Sequence, residues 1–398
     1  MGKIARNEEK TLYLSAIPGA LTLGLVYLFD NMVFVALGYA CLIACVLMVY
    51  GYLIRTGKKL DSILLFLVIG TCLWNLFELA KDPSGLAIRT FAVEIVAYLF
   101  LLGMVAVGYE SVIVRSFRKW LLALCLLLSP FVLAIVVAGG GDAHIRMFES
   151  VFSMTIYKTL LAVFCVLLLE CERRFVLCAS FVVLFILIGD RASAICCAAG
   201  LLAYWGYGFL IRRRLVCWGV FCSIIFFSIA VPLVYVSLYG TVLGYEINQF
   251  SRDYFGSNFF SGRNIIWDQV FSAISENPVL GNGLNSRVSV GVINGTDGVG
   301  LSFHNTYLTI LFQGGIVGFA LFVGILARLW SLVFSDGKES KVKRVAFCSL
   351  IMLLVLGCFE VTMIQNTVNV ALMLWLFVAM GNTASEASVL MRDKQGAL

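Results

Sequence analysis

The sequence predicts an all-α polytopic membrane protein with about twelve transmembrane helices. Of its 398 residues, 61% are hydrophobic and only 13% are charged, and the mean hydropathy is +0.97. A soluble domain is about 45–50% apolar and about 25% charged. Apolar stretches of about 20 residues, each long enough to cross a bilayer, recur along the chain. These stretches are continuous rather than alternating, which favours helices over a closed barrel.

Charge placement sets the expected topology. Most of the 29 Lys and Arg residues fall on one side when the spans alternate, and the positive-inside rule makes that side cytoplasmic. Both termini are then cytoplasmic, and the first apolar run is read as a span because it lacks a signal-peptide cleavage site. The spans are expected at about 12–29, 32–54, 60–79, 86–108, 119–138, 153–170, 174–190, 192–211, 215–238, 303–333, 345–364 and 367–382.

One connection is much longer than the others. Residues 239–302, called the large loop below, are expected outside the membrane within a single integral membrane domain covering 1–398. Within this loop, 263–276 shows apolar residues at helical spacing and predicts a short amphipathic helix. This helix would lie on the outer membrane surface. An ordinary structured loop packed on the bundle explains the pattern equally well.

Composition excludes several classes of protein. The basic residues are scattered between apolar runs, so no nucleic-acid partner is expected. Most of the 13 cysteines lie inside apolar segments and behave as small hydrophobic residues, and no Cys/His spacing predicts a zinc site. We therefore expect no metal and no cofactor.

Ionisable residues inside spans mark candidate functional positions, because burying them in lipid is costly. In the predicted topology they gather toward the outer leaflet, on the side of the large loop. This convergence predicts a site at the outer membrane interface. The residues concerned are Arg89, Glu94, Lys158, Asp190, Arg191, His304 and Glu360.

Each of these residues also has a purely structural interpretation. An imidazole such as that of His304 can act as a general base near neutral pH, or can bond loop backbone at the start of a helix. Asp190 and Arg191 can pair with each other in a tight turn, and Lys158 can snorkel to the headgroups. Glu94 and Glu360 can each form an ion pair with Arg89 or Lys158. Two further candidates in outer loops, His144 and Arg287, can simply be solvated surface residues.

Three short motifs include several of these candidate residues. His304-Asn305-Thr306-Tyr307-Leu308, followed by a glycine-bearing apolar helix, is similar to the His-Asn-x-Tyr-Leu signature of the O-antigen ligase and polymerase superfamily. Arg263, Trp267 and Pro278-Val279-Leu280-Gly281-Asn282-Gly283 resemble its Arg-x-x-x-Trp and Pro-x-x-Gly-x-Gly motifs in the large loop. Asp190-Arg191-Ala192-Ser193 resembles its arginine at the outer end of a span.

The resemblance implies a membrane-embedded glycosyltransferase of the GT-C type. Such enzymes transfer a glycan from undecaprenyl pyrophosphate to an acceptor hydroxyl at the periplasmic face of the bacterial inner membrane. His304 would be the general base, and Arg263 and Arg191 would bind pyrophosphate. The transfer would be independent of metal and would invert the sugar carbon. The residues expected to bind substrate are Asn305, Tyr307, Lys158, Arg287, Arg89 and Trp267.

Three functions remain open at this point. A polymerase, which is favoured here, would extend an undecaprenyl-pyrophosphate-linked oligosaccharide and could work with a chain-length regulator. An O-antigen ligase would transfer the glycan to lipid A-core. A flippase for a lipid-linked sugar would suit twelve spans, but no internal two-fold repeat of the kind many transporters carry is visible.

Overall fold

The computed structural model describes more than half of each third of the chain. Continuous stretches cover 32–81, 83–107, 191–255, 258–260, 262–284, 286–293, 296–299, 302–334 and 339–363, with isolated positions at 161, 164, 165, 168, 180–183, 185, 371, 372, 374, 375, 377–379 and 381. The candidate spans at 12–29 and 119–138 lie outside these residues, as do Lys158, His144 and Asp190.

Apolar helices make up most of this part of the chain, which confirms a polytopic membrane protein. Five of them are long and apolar enough to cross a membrane, namely α2, α3, α4, α5 and α8, and α1 contains a shorter apolar stretch. The total of twelve spans and the GT-C architecture stay predictions. The helices are α1 (Met32–Thr56), α2 (Ser62–Lys81), α3 (Gly85–Val107), α4 (Arg191–Leu210), α5 (Arg214–Leu238), α6 (Val242–Phe255), α7 (Arg263–Glu276), α8 (Thr306–Val333) and α9 (Lys341–Gly357).

The large loop contains more structure than the sequence predicted. Helix α7 covers the residues expected to form a helix, while α6 was not anticipated. Two short antiparallel strands follow, β1 (Ser289–Ile293) and β2 (Thr296–Val299). The described bundle is all-helical as expected, and the two short strands are confined to this loop. Asn294-Gly295 stands between the strands, and this dipeptide is a strong sequence signal for a two-residue hairpin turn.

The bundle has two chemically different ends. At one end, here called the basic end, Lys58 Nζ donates to the carbonyl of Val107 (2.6 Å) and Arg328 pairs with Asp61. The other end, from which the large loop extends, is called the loop end. Since α8 begins directly after the loop, the start of α8 and the terminus of α9 both lie at the loop end.

Helix α9 ends earlier than the sequence suggested. A span was expected to reach about 364, but the helix stops at Gly357. The backbone then turns to meet the start of α8, where Thr306 Oγ1 donates to the carbonyl of Glu360 (2.7 Å). The N–H of Thr362 in turn donates to Thr306 Oγ1 (3.2 Å). These bonds hold the segment after α9 against the first turn of α8.

Helix α8 is broken in its interior, which the apolar run at 303–333 did not reveal. Gly315 has φ 60° and ψ −164°, values that no α-helix contains. The break frees carbonyl groups of the preceding turn. The N–H of Asn282 donates to the carbonyl of Phe312 (2.9 Å), and the N–H of Gly283 donates to that of Gln313 (3.0 Å).

The same loop segment also satisfies the second half of the broken helix. The N–H of Ile316 donates to the carbonyl of Pro278 (2.9 Å). From α2, Lys81 Nζ donates to the carbonyl of Leu280 (2.7 Å) and fastens the segment from outside. The Pro-x-x-Gly-x-Gly motif thus completes the hydrogen bonding of α8, because buried backbone groups need partners.

Candidate active site

His304 stands immediately before α8 at the loop end, in an unusual backbone conformation. Its φ is 49°, which is uncommon for a residue with a side chain and is often found at functional sites. Its ring nitrogen Nδ1 lies 3.3 Å from Glu360 Oε2. The imidazole is 38% exposed and the carboxylate 21% exposed. The ring is therefore held on one side and accessible on the other.

Asn305 fixes the start of α8. Its side-chain oxygen accepts a hydrogen bond from the N–H of Leu308 (3.0 Å), as an N-cap does. Its amide nitrogen donates to the carbonyl of Ser228 on α5 (2.8 Å). Asn305 is fully buried, so both of its polar groups serve to anchor the helix that follows His304.

Tyr307 is also fully buried. Its hydroxyl donates to the carbonyl of Leu354 on α9 (2.9 Å). This bond joins α8 and α9 one turn below the His304–Glu360 pair. Asn305 and Tyr307 were both expected to bind substrate, and the structure shows both side chains engaged with neighbouring helices.

Arg263 and Trp267 lie one turn apart on α7 and therefore on the same face. Trp267 Nε1 donates to the carbonyl of Phe303 (2.8 Å), the residue before His304. This bond brings the face of α7 that carries Arg263 to the start of α8. Within the described part of the chain, the Arg263 guanidinium, which is partly buried, makes no hydrogen bond or ion pair.

A large apolar cavity opens beside these residues. Its volume is about 840 Å³, and α5 forms most of its wall. Val355, Cys358 and Phe359 line it at the end of α9, and Arg263 and Trp267 line it from α7. Apolar walls with a guanidinium at the loop end can accommodate an amphiphile with an anionic head.

Arg191 is the first residue of α4 and is exposed. Helix α4 runs antiparallel to α9, since Arg344 near the start of α9 stacks on Tyr204 toward the other end of α4. Ile195, one turn after Arg191, lines the same cavity as Val355. Arg191 therefore lies at the loop end, next to the rim of the cavity.

The remaining predicted positions are spread more widely. Arg287 lines a second, open and polar cleft of about 360 Å³ together with Gln269, Ser272 and Glu276 on α7. Arg89 is exposed near the start of α3, with no described contact to His304. Lys158 lies outside the described residues. Among those residues, no group of three or more His, Cys, Asp or Glu side chains could hold a metal ion.

The contact between Glu360 and His304 was not predicted from the sequence. It was recognised as an ionisable residue near the outer end of a span, but the expected partners were Arg89 or Lys158. Its described partner is His304, 56 positions earlier in the chain. No spacing pattern encodes such a contact, because it depends on how α8 and α9 pack.

Comparison with known proteins agrees with this arrangement. Residues 175–323 match a family model described as O-Antigen ligase. This part of the chain resembles the O-antigen ligase and polymerase superfamily. Its resemblance to that superfamily, first noted from three motifs, is thereby confirmed. The matched residues include Arg191, Arg263 and His304, whereas Glu360 falls beyond them.

A curated relative supports the same superfamily. The chain is 32% identical over 107 residues to a protein named O-antigen ligase from Pseudomonas aeruginosa PAO1. The aligned stretch covers 27% of this chain and 25% of that relative. The chain thus matches only about a quarter of the length of this superfamily member.

Proposed function

We propose that this protein is a glycosyltransferase that moves a glycan from a polyprenyl pyrophosphate lipid to an acceptor hydroxyl at the loop end of the bundle. The observation that carries the proposal is the juxtaposition of the apolar cavity, the Arg263 guanidinium and the His304–Glu360 pair. The cavity would bind a lipid chain, Arg263 an anionic head group, and His304 an acceptor hydroxyl. The similarity to the O-antigen ligase family over residues 175–323 supports the same reaction class.

The donor lipid would bind along the cavity. Its isoprenoid chain would contact the apolar wall of α5, which removes apolar surface from water and from headgroups. The pyrophosphate would meet Arg263, whose planar guanidinium can bind two phosphate oxygens at once. Arg191 at the rim would bind from the α4 side. Undecaprenyl pyrophosphate has this combination of a long apolar chain and two phosphates.

His304 would act as the general base. In the proposed tautomer Nδ1–H donates to Glu360, so that Nε2 carries the free electron pair. Nε2 takes the proton of the acceptor hydroxyl as its oxygen attacks the first carbon of the donor sugar. The bond from that carbon to the phosphate oxygen breaks, and the lipid pyrophosphate leaves with the electron pair. Attack from the opposite face inverts the sugar carbon.

The arginines would also contribute to the rate. Negative charge on the departing pyrophosphate grows in the transition state, and fixed guanidinium groups stabilise that charge. Asn305 and Tyr307 would contribute by holding His304 in place. Arg287 and the polar side chains of its cleft would contact glycan hydroxyl groups, for which amides, hydroxyls and carboxylates provide donors and acceptors.

The acceptor distinguishes the two candidate functions. The sequence favours a polymerase, which uses a second lipid-linked repeat unit as acceptor. Both comparisons carry the name O-antigen ligase, so we propose ligase-type transfer to a lipid A-core acceptor first and polymerase-type transfer second. In either case the loop end would face the periplasm across the inner membrane, with both termini in the cytoplasm.

One reconstitution tests these alternatives. The full chain in lipid nanodiscs is supplied with an undecaprenyl-pyrophosphate-linked oligosaccharide, first alone and then with lipid A-core. Product only in the presence of lipid A-core supports a ligase, and a ladder of longer lipid-linked glycans supports a polymerase. Unchanged substrate in both reactions, with movement of the lipid between leaflets, would instead support a flippase and contradict the proposal.

The base is tested in the same assay. His304→Ala should lower the rate of transfer by about 10²–10⁴-fold while leaving the protein folded. A chelator should leave the wild-type rate unchanged, because the proposed chemistry uses guanidinium groups rather than a metal. Full activity of His304→Ala would remove His304 as the base, and loss of activity in chelator would show that a metal takes part.

A further inference from the structure

A small polar chamber lies between α2, α3 and α8, apart from the large apolar cavity. Its volume is about 30 Å³, and about 10–15 Å³ of such space holds one water molecule. No residue of this chamber lines the large cavity described above. Its polar lining residues are Thr71, Asn75, Glu78, Glu94, Tyr98 and Gln313.

The two carboxylates of the polar chamber differ in how they are compensated. Glu78 is held by Lys81, whose Nζ lies 2.9 Å from both carboxylate oxygens. Glu94 is only 4% exposed and accepts one described hydrogen bond, from Asn75 Nδ2 to Oε2 (2.6 Å). Within the part of the chain that the structure describes, no Lys, Arg or His pairs with Glu94. A buried carboxylate without a cation is costly in a membrane.

Tyr98 presents a second polar group to the polar chamber. Its side chain is 3% exposed, yet its hydroxyl makes no hydrogen bond among the described residues. Buried hydroxyl groups normally have a partner. The hydroxyl borders the same chamber as the Glu94 carboxylate. Both groups therefore offer oxygen atoms to whatever occupies the space.

The break in α8 adds to the attraction for positive charge. Gln313 and Gly314, the last residues before the break at Gly315, line the polar chamber. The end of a half-helix carries partial negative charge, which favours a cation nearby, and the hydrogen bonds that the carbonyls of Phe312, Gln313 and Gly314 accept here reduce this contribution. Discontinuous membrane helices use such ends and adjacent oxygen atoms to hold small cations in other proteins.

We propose that the polar chamber binds one monovalent cation of the size of sodium. The Glu94 carboxylate provides its negative charge, and neutral oxygen atoms from Tyr98 and Thr71 contribute to its coordination. One uncompensated carboxylate matches one positive charge, whereas a divalent ion would remain half compensated in a buried site. Oxygen ligands suit hard cations. Bound sodium would stabilise the broken section of α8 and, through it, the docked segment of the large loop.

Thermal unfolding of the full chain in detergent tests this proposal without any glycan substrate. NaCl should raise the midpoint temperature by a few degrees in a saturable way above a choline chloride baseline of equal ionic strength. Glu94→Gln keeps a hydrogen-bonding partner for Asn75 but removes the charge, so the sodium effect should disappear. Glu246→Gln removes an exposed carboxylate on α6 and should keep the full effect.

Tyr98→Phe provides a second variant in case Glu94→Gln does not fold. It leaves the charge and removes one ligand, so half-saturation should need several-fold more sodium. An equal response of the wild type to NaCl and choline chloride would overturn the proposal and would indicate a proton on Glu94 instead. A sodium effect retained in full by Glu94→Gln would also overturn it. These results do not depend on whether the protein transfers a glycan.

Discussion

Gly281 in the large loop and Gly315 in the break of α8 pack directly against each other. A Cβ atom on Gly281 would lie 2.2 Å from the carbonyl oxygen of Gln313, and one on Gly315 would lie 2.2 Å from that of Val279. Both glycines also have positive φ, at 68° and 60°. Neither position tolerates a side chain, because the obstructing atoms belong to backbone. The contact ties the large loop to the helix that follows His304.

Substituting either glycine should therefore separate the loop from α8. We expect Gly281→Ala to destabilise the protein by more than about 2 kcal/mol, combining the clash with the cost of a positive φ. Transfer activity should fall with it, since Arg263 and His304 are carried by the two segments that the contact joins. Thermal unfolding and the transfer assay measure the two effects separately.

Gly240→Ala is the matched control for this prediction. Gly240 also has a positive φ, at 79°, but a Cβ atom there would meet nothing within 4 Å. It should cost only the backbone strain, about 1–2 kcal/mol, and should leave transfer intact. Equal loss of activity in Gly240→Ala and Gly281→Ala would show that strain rather than loop docking accounts for the defect.

Glu360→Gln should impair catalysis through His304. A glutamine can still contact Nδ1 but can donate as well as accept, so the ring is no longer held in a single tautomer. We expect the turnover rate to fall about 10–100-fold, which is less than the loss on removing the base itself. The pH dependence of the rate should also change, because Glu360 contacts the side chain that is proposed to take the proton.

Glu360→Asp distinguishes positioning from simple packing. The shorter carboxylate keeps the charge and should restore part of the turnover and of the pH profile. Glu339→Gln, at the basic end, removes a carboxylate that pairs with Arg344 and should leave the pH profile unchanged. If Glu360→Gln keeps the wild-type rate and profile, the His304–Glu360 contact has no role in the reaction.

The sequence predicted those parts of the fold that depend on local pattern. Continuous apolar runs bounded by charges placed α2 to α5 within a few residues, and apolar spacing placed α7 at Arg263–Glu276. Neither the break at Gly315 nor the end of α9 at Gly357 could be read in this way. Both depend on hydrogen bonds to segments about 30 to 55 positions away in the chain, for which an apolar run carries no signal.

The candidate site shows the same division. Topology alone predicted that Arg191 and His304 face the same end of the bundle, and the motifs added Arg263. The contacts that position the site were not predictable, because each one joins different elements. Glu360, after α9, contacts His304, and Ser228 on α5 accepts a hydrogen bond from Asn305. Trp267 on α7 donates to the carbonyl of Phe303. Side-chain pairing across helices is set by packing, which one sequence does not specify.

Arg263→Lys should retain the charge but lose the planar fork. A lysine ammonium binds phosphate as a point charge and cannot bind two oxygens in one plane. We expect transfer to fall about 10–100-fold, with the larger part of the loss in the turnover rate. Arg252→Lys on α6, where the guanidinium bonds Asn258, is the control and should keep normal activity. Near-normal transfer by Arg263→Lys would show that this guanidinium does not bind pyrophosphate.

The Asp61–Arg328 pair at the basic end should make stability depend on pH. Asp61 caps α2 by accepting from the N–H of Leu64 (2.8 Å), and Arg328 Nε on α8 donates to the same oxygen (3.0 Å). Partial burial raises the pKa of Asp61, but the hydrogen bonds from Arg328 and Leu64 outweigh it and hold the pKa below its usual value. The carboxylate therefore stabilises the fold above the unfolded-state pKa of about 3.9, and this contribution is lost as the pH falls through the lower, folded-state pKa.

Asp61→Asn should lower the free energy of unfolding by roughly 1 kcal/mol at neutral pH. The difference from the wild type should shrink toward zero in acid, as followed by denaturant unfolding across the pH range. Because asparagine can also cap α2, a difference that is constant down to the lowest pH would show that the charge of Asp61 does not account for the lost stability.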